Sequence, residues 1–494
     1  MRIPSEVKTV LDALKNENFE AFIVGGCVRD ILLDREPKDW DITTNAKPEQ
    51  ISKIFPNSFC ENKFGTVTVQ TGSKKPNLAE IEITPYRIEG RYSDKRHPDE
   101  IKFAETLEED LKRRDFTINA MAMSFGSKAD GKQRIINSRS SVIDLFSGQE
   151  DIKNNLIRAV GEPAERFNED ALRMMRAVRI ATELKFQIEA ETLNAIKKSS
   201  DLINYIAEER IREEFLRIVR CVNAYDGIIL LKETGLLEKI LPELVEGIGI
   251  TQNKHHIYTV FEHNVLSLKW GAEHNYPLRV RLAALFHDIG KVRTKRGEGS
   301  DATFYGHEIV GAKIVSKILT RLKFTVELEH TISMLVKYHM FYYNVGEVTE
   351  RSVRRLIAKV GAENIDDLVK VRICDRMGSG VPKAEPYKQR HFQYMVEKVQ
   401  RDPTSPKMLK INGNDIMELL GIEPGPKIGQ ILLILLDDVL DEPKLNTKKY
   451  LTNRTKELGS LKESELKELS GKAKDKNAMF DKAVDEKIKG KYWV

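Results

Sequence analysis

Along this chain the spacing of apolar positions changes character once, near Ser147. Before that point short alternating runs interleave with helical spacing. Val7–Asn18 repeats its apolar residues at intervals of three and four, the period of a helix with one buried face. Ala21–Val24 reads as a short strand ending in Gly25-Gly26, followed by a helix from Val28 to Leu33 and a strand around Trp40–Thr43. Phe64–Thr71 and Leu78–Tyr86 are β-branched and alternating, hence strands. The pattern predicts a small α/β unit with carboxylates on two of its strands, aimed at one face.

Beyond Ser147 the chain reads as helical almost throughout. Phe167–Leu184, Glu189–Lys198 and Glu208–Val222 keep a period near 3.6, and a further helical block covers about Lys254 to Val399. Arg401-Asp402-Pro403-Thr404-Ser405-Pro406 has the composition of a linker. After it, a turn from Gly421 to Pro426 leads into a helix from Ile428 to Leu440. The expected division is a head over 1–146, a helical neck over 147–225, a second helical domain over 226–400, a small segment over 401–460 and a mobile Lys-rich end over 461–494. The fold class expected is therefore α/β plus all-α, in several domains.

Composition narrows the function classes. Of 494 residues 41% are apolar and 31% charged, which suits a water-soluble chain with a charge-rich surface. The longest apolar run, Ile431 to Leu436, falls far short of the ~20 residues of a membrane helix. The first residues mix acids and bases without an apolar core or cleavage site, so no export signal is expected and the cytoplasm is the expected compartment. Cys27, Cys60, Cys221 and Cys374 are scattered without a CxxC pair, which excludes a disulfide framework and a cysteine zinc site. Basic residues exceed acidic ones by 80 − 75 = 5, too little to specify a polyanion partner by itself. Eight of the ten histidines lie between His255 and His339, and clustering of that kind points to a metal site.

Four motifs carry chemistry in the first part. Ile23-Val24-Gly25-Gly26-Cys27-Val28-Arg29-Asp30 is a strand, a double glycine and a helix start, a turn that lets backbone N–H groups approach a phosphate. Asp39-Trp40-Asp41 places two carboxylates at i and i+2 of an expected strand, on one face, where they can hold hard cations for a phosphoryl transfer. Glu82 on the strand Leu78–Tyr86 offers a third carboxylate. Leu111-Lys112-Arg113-Arg114-Asp115-Phe116-Thr117-Ile118-Asn119-Ala120 sets guanidinium forks, suited to phosphate and sugar oxygens, beside an Asp and an Asn. Glu169-Asp170-Ala171-Leu172-Arg173-Met174-Met175-Arg176-Ala177-Val178-Arg179 spaces Asp170, Arg173 and Arg176 by three, on one expected helix face that Arg179 extends. An Asp acceptor beside an Arg donor complements the base edges of cytosine and adenine. Those bases present an amino donor next to a ring-nitrogen acceptor, whereas uracil and guanine oppose like groups. Singly, each motif also fits an ordinary turn, an acidic edge or a helical salt bridge.

In this order, the four motifs resemble the class II tRNA nucleotidyltransferases, the CCA-adding enzymes, within the DNA polymerase β superfamily. The likeness runs from about Ala21 to Phe215. It implies a polymerase-β-like head, a helical neck and template-independent addition of CMP and AMP, from CTP and ATP, to the 3′ end of tRNA. Gly25, Gly26 and Arg29 would hold the triphosphate, and Asp39 and Asp41 the catalytic Mg2+. Arg114, Asp115 and Asn119 would contact ribose and phosphate. Asp170 and Arg173 would read the base, supported by Arg176 and Arg179. The stretch 89–104 looks like the family's flexible loop, which favours full CCA or A addition over CC addition. An A-only enzyme or a poly(A) polymerase would share the same site. No obligate protein partner is evident.

Leu285-Phe286-His287-Asp288-Ile289-Gly290-Lys291, with His263 before it and Asp375 far after, resembles the HD-superfamily phosphohydrolases. The likeness implies metal ligation by His263, His287, Asp288 and Asp375, with His307 and His339 as the further pair of two-metal members. Imidazoles mixed with carboxylates favour Mn2+, Ni2+ or Co2+. A 2′,3′-cyclic phosphate or phosphomonoester is the substrate implied. A chain whose main output is that hydrolysis, with the first part serving to bind tRNA, is the alternative from a different class. Leu409–Ile416 and Gly425–Gly429 resemble the tail segment of the same nucleotidyltransferases, expected to grip tRNA. Residues 471–494 carry 7 Lys against 4 acids, a net of 7 − 4 = +3, and read as a solvating tail.

Overall fold

The computed structural model describes residues 3–60, 65–89, 101–124, 142–253, 257–341, 348–380, 387–399 and 402–473. It divides into two compact units, Met1–Val245 with Thr320–Phe324, and Glu246–Leu319 with Thr325–Val494.

The first unit opens with a helix, Ser5–Asn16, whose Val7, Val10, Leu11 and Leu14 are buried. Its strands are β1 (Ala21–Val24), β2 (Asp41–Thr44), β3 (Ser58–Cys60), β4 (Val67–Gln70), β5 (Glu80–Pro85), β6 (Arg87–Glu89), β7 (Ile101–Phe103), β8 (Met121–Met123), β9 (Val142–Asp144), β10 (Leu156–Ile157) and β11 (Gln187–Ile188), the last two paired with each other. Seven of them form one sheet in the order β3-β4-β5-β2-β1-β8-β9. Every pair in it is antiparallel except β2 with β5, which run parallel and set Asp41 opposite Glu82. Ile23, Ile42, Ile81 and Ile83 on the other pleat face pack with Val7, Leu11 and Leu14 into the core. The alternation in β5 seals one sheet face and leaves Glu80 and Glu82 exposed on the other, where on β2 Asp41 is half-buried and Thr43 buried.

β6 and β7 pair as a separate antiparallel ribbon, Arg87↔Phe103 to Glu89↔Ile101. They flank the expected loop, whose residues 90–100 lie outside the described ones.

Two expectations about this unit need correcting. Asp39 is not in a strand: β2 begins at Asp41, and Asp39 lies in the bend before it. The helix expected over Phe167–Leu184 is two helices, Pro163–Glu169 and Leu172–Leu184, broken at Asp170 with φ −137° and ψ 105°. Asp170 therefore does not share a helix face with Arg173 and Arg176. Its side chain caps the following turn instead, Oδ1 accepting from the Leu172 N–H at 3.0 Å, a role short polar residues take in preference to the helix interior.

The neck continues through helices Ala190–Ser199, Glu208–Arg220 and Ala224–Glu233. Ala224, Ile228 and Leu231 are buried, and the unit runs on to Val245, past the boundary expected at 225.

The second unit is helical. Helices Val260–Glu273, Leu278–Phe286, Val326–Tyr338 and Ile365–Gly378 surround the histidines. The expected linker is anchored: Asp402 accepts from Arg354 Nη1 at 2.9 Å, and Thr404 is buried. Arg355, on the helix Glu350–Val360, bonds Asp437 and Asp441 on the helix Pro426–Asp441. The chain stays packed beyond 460, because Leu466 is fully buried with Leu451 and Leu458. A mobile end from 461 is thus not what residues 461–473 form; residues 474–494 lie outside the described ones. No helix among the described residues is long and apolar enough to cross a membrane.

Candidate nucleotidyltransferase and metal sites

In the first unit the motifs converge around Gly25. This residue closes β1 with φ +85° and caps the helix Gly26–Leu32. A Cβ there would sit 3.0 Å from Arg114 Nη1 and 3.3 Å from Asp41 Oδ2, so glycine is required both by the dihedral and by the space. Asp41, at the start of β2, is pushed up from the ordinary carboxylate range by burial and by Asp39, against the pull of Arg114. Asp39 is exposed, and Glu82 stands beside Asp41 in register on β5. Directly paired residues project to one face of a sheet, so Asp41 and Glu82 share a face, and Asp39 is near enough to Asp41 to raise it.

A chain of hydrogen bonds joins the remaining motifs. Arg29 Nη1 donates to Asn119 Oδ1 at 2.8 Å, and Asn119 Nδ2 to Asp115 Oδ1 at 3.1 Å. Arg176 donates to Asp115 Oδ2 from Nε at 2.8 Å and stands 2.7 Å away through Nη2. Burial alone would raise the Asp115 carboxyl, but Arg176 and the Asn119 hydrogen bond hold it well below its ordinary range. Residues 29, 115, 119 and 176 thus form one network, while Arg114 lies against Gly25.

One group that the sequence did not single out fixes Arg114. Asp110, with no exposed surface, accepts from Arg113 at 2.7 Å, from Arg114 Nη2 at 3.2 Å and from the Thr43 hydroxyl at 3.3 Å. Its place in Leu107–Lys112, one turn before the arginine pair, was readable as an i,i+3 and i,i+4 spacing.

The base-reading candidates are held separately. Arg173 is buried and donates to Glu169 and to the main-chain carbonyl of Arg113, the latter at 3.1 Å. Asp170 accepts from Arg210 Nη2 at 2.8 Å. Arg179 turns inward to Glu214, 3.2 Å away, both buried. The structure thus brings Arg176 to the network and Arg179 to a pairing inside the neck.

In the second unit six side chains meet. The helix Val260–Glu273, started by a Thr259–Glu262 capping box, carries His263. His287 caps the helix Leu278–Phe286, His339 caps Val326–Tyr338, and Asp375 lies on Ile365–Gly378. Gly290 lets the helix bearing His307 approach, since a Cβ there would fall 2.1 Å from the His307 carbonyl oxygen. Ligand atoms of His263, His287, Asp288 and Asp375 all lie within 4.8 Å of one another, as do those of Asp288, His307 and His339. Asp288 belongs to both groups.

The donor chemistry fits divalent cations. The Nδ1 atoms of His287, His307 and His339 lie 2.8, 2.8 and 2.7 Å from the carbonyls of Ala284, Phe304 and Val336. A carbonyl only accepts, so each Nδ1 carries a proton, and where the ring is neutral its Nε2 keeps a lone pair. The His307 and His339 Nε2 atoms, buried without a hydrogen-bond partner, stand 3.2 and 3.6 Å from Asp288 Oδ1. Lone pairs facing a carboxylate oxygen call for a positive charge between them. Burial opposes a charge on His287, yet Asp288 and Asp375 hold it up to about 10, while burial pushes His339 down to about 4. Lys291, 2.6 Å from Asp288, and Arg372, 2.7 Å from Asp375, flank the cluster and were not singled out from the sequence.

Comparison with known proteins finds matches over both units. Family models match for the poly(A) polymerase head domain over residues 21–158, for the probable RNA and SrmB-binding site of polymerase A over 185–247, and for the HD domain over 260–377. The CCA-adding enzyme of Lactobacillus helveticus is 49% identical over 210 residues, a stretch spanning 42% of this chain and 48% of that protein, about half its length. The crystal structure of the Bacillus stearothermophilus CCA-adding enzyme in complex with CTP superposes with a TM-score of 0.63 at 26% identity, covering 92% of this chain and 98% of that one. The CCA-adding enzyme of Ligilactobacillus salivarius is 32% identical over 472 residues, 92% of this chain and 98% of its own. With identity at that level carried through nearly the whole of both chains, this protein belongs to the CCA-adding enzymes, tRNA nucleotidyltransferases that here carry an HD domain.

Proposed function

We propose that the first unit adds CMP and AMP, from CTP and ATP, to tRNA 3′ ends, joining the 3′-hydroxyl oxygen to the α-phosphorus and releasing pyrophosphate. The observation that supports this reading most directly is the continuity of the Arg29–Asn119–Asp115–Arg176 network, which draws motifs from three distant segments onto one site. Asp39 and Asp41 would hold Mg2+, with Glu82 beside them. A burial-disfavoured carboxylate such as Asp41 gains from a hard cation, which when bound supplies charge stabilisation at the transferring phosphoryl group.

The chain's own residues do the positioning. Gly25 and Gly26 bring backbone to the triphosphate, and Arg29 and Arg114 offer guanidinium donors held by Asn119 and Asp110. Asn119, itself held by Asp115, orients Arg29, and Arg114, Asp115 and Asn119 would contact ribose and phosphate. Arg173 donates and Asp170 accepts at the base edge, which selects C and A over U and G. Arg176 steadies the site through Asp115; Arg179 steadies the neck through Glu214. Incubating tRNA lacking CCA, tRNA ending in C and tRNA ending in CC with each labelled nucleotide, then sequencing the ends, tests the reading. C, C and A added in order support it. Addition of A alone, or an untemplated A tail, would replace it with the A-only or poly(A) reading.

A second activity is favoured by the His/Asp cluster. His263, His287, Asp288 and Asp375, with His307 and His339, would hold Mn2+, Ni2+ or Co2+ for hydrolysis of a 2′,3′-cyclic phosphate or phosphomonoester. Purified protein assayed on both substrate types with each metal tests this.

A further inference from the structure

Arg210, on the neck helix Glu208–Arg220, reaches Asp170 with Nη2 to Oδ2 at 2.8 Å and Nη1 to Oδ1 at 3.4 Å. We infer that Arg210 is the positioning residue that sets nucleotide selectivity by fixing the Asp170 carboxylate for the base; the inference rests on the base-reading role of Asp170 proposed above.

The reasoning starts from the break in the helix. Asp170 lies between two helices in extended backbone, so no helical turn on its own segment dictates its side-chain direction. Two contacts supply that direction. The Leu172 N–H holds Oδ1 at 3.0 Å, and the Arg210 fork spans both oxygens. A fork on a carboxylate fixes its plane as well as its position, which a single donor does not. Oδ1 takes both the Leu172 N–H and Arg210 Nη1, whereas Oδ2 takes Nη2 alone, so Oδ2 keeps a lone pair to offer an incoming amino group.

The support for Arg210 is rigid. Ile211, Phe215, Ile218 and Val219 of its helix are buried. Farther along, between the helices Leu172–Leu184 and Glu208–Arg220, Arg179 pairs with Glu214 at 3.2 Å and Arg217 with Glu183 at 3.4 Å, in the same chain order. The three pairs form a ladder, and Asp170–Arg210 is the rung at the proposed base site. Arg173 is fixed independently, by Glu169 and the Arg113 carbonyl. Acceptor and donor of the proposed base edge are thus set by different partners, and removing Arg210 frees only the acceptor.

The test compares CTP with UTP incorporation, as kcat/KM, in the full-length protein. Arg210→Ala is expected to lower the CTP preference about tenfold, with a smaller loss in tRNA binding. Arg210→Lys, which keeps the charge without the fork, is expected to recover part of it. Arg217→Ala, which breaks another rung, is expected to keep the wild-type ratio whatever it does to the melting temperature. Asp170→Ala is the reference, and adding Arg210→Ala to it is expected to relax the ratio no further. If Asp170→Ala relaxes selection while folded Arg210→Ala keeps the wild-type ratio, the inference falls and the base-reading role stands. If Asp170→Ala itself keeps the ratio, both fall. Should the alanine variant not fold, Arg210→Lys carries the test, and a wild-type ratio there overturns the inference.

Discussion

Arg176 lays its guanidinium against a single oxygen of Asp115, Nε at 2.8 Å and Nη2 at 2.7 Å, tying the neck helix Leu172–Leu184 to the segment just before β8. The other Asp115 oxygen takes the Phe116 N–H and the Asn119 amide. Asp115 is 7% exposed, so its charge is offset almost wholly by these partners. Removing Arg176 leaves a buried carboxylate uncompensated, at a cost on the order of 3 kcal/mol. Arg176→Ala is therefore expected to lower the melting temperature clearly and to raise KM for both nucleotides. A variant as stable as wild type would show that the pair is not holding the neck to the head.

The same carboxylate gives a pH signature. Burial would raise Asp115, but Arg176 and Asn119 outweigh it and depress the folded-state value. A depressed carboxylate contributes stability in full above its unfolded value of about 3.9, lost as pH falls through the folded value. The stability gap between wild type and Asp115→Asn is expected to be constant from about pH 7 to pH 5 and to close below about pH 4. Chemical denaturation across that range checks the sign; a gap that widens on acidification would contradict it.

Asp41 has the opposite balance. Burial and the neighbouring Asp39 raise it, and Arg114 recovers only part. In chelator, Asp41→Asn is expected to melt at or above the wild-type temperature, because a disfavoured charge is removed. Nucleotide incorporation should fall by ~10²–10³-fold or more, since several kcal/mol of transition-state stabilisation depend on the cation. Asp39→Ala is expected to lose activity likewise with tRNA binding retained. Turnover within about tenfold of wild type in either variant would show that these two are not the metal ligands.

Much of this was legible in the chain. The change of period near Ser147 falls just after the last strand of the seven-stranded sheet, Val142–Asp144, because sheet alternation and helical spacing are set by local geometry. The motifs from Gly25 to Arg176 stood out through residue type, and the fold joins Arg29, Asp115, Asn119 and Arg176 in one network. Local pattern failed where tertiary contacts decide. The break at Asp170 is invisible to helical spacing, since Leu172–Leu184 keeps its apolar stripe on one side and Pro163–Glu169 starts its own. Neither Arg210, in a helix within the stretch that resembles the family, nor Asp110 had a role assigned from the sequence; only the fold brings one to Asp170 and the other to Arg114. Arg179 read as part of the nucleotide row, but Glu214, far along the chain, claims it.

Gly25 offers a test by addition of one carbon. Its φ of +85° and the 3.0 Å approach of Arg114 Nη1 leave an alanine both strained and crowded. Gly25→Ala is expected to cost about 1–2 kcal/mol of stability and to displace Arg114, raising KM for nucleotide more than it lowers tRNA affinity. Nucleotide KM equal to wild type would mean that the glycine serves the turn alone.

The sharing of Asp288 between the two ligand groups leads to a stoichiometric prediction. His263, His287 and Asp375 complete one group, and His307 and His339 the other. Asp375→Ala strips one group and leaves the second whole, so metal analysis of the purified protein loaded with Mn2+, Ni2+ or Co2+ is expected to show about half the wild-type content. His307→Ala is expected to do the same from the other side. Asp288→Ala breaks both groups and should leave neither ion bound. Hydrolysis of cyclic phosphate or phosphomonoester should vanish in Asp288→Ala and in His287→Ala. Nucleotide addition in Mg2+ should persist in all four variants, because none of them alters Asp39, Asp41 or the Arg29–Asp115 network. Equal metal loss in Asp375→Ala and Asp288→Ala would show that Asp288 does not bridge two ions. Loss of nucleotide addition in a folded Asp288→Ala protein would instead assign the cluster to the transferase reaction.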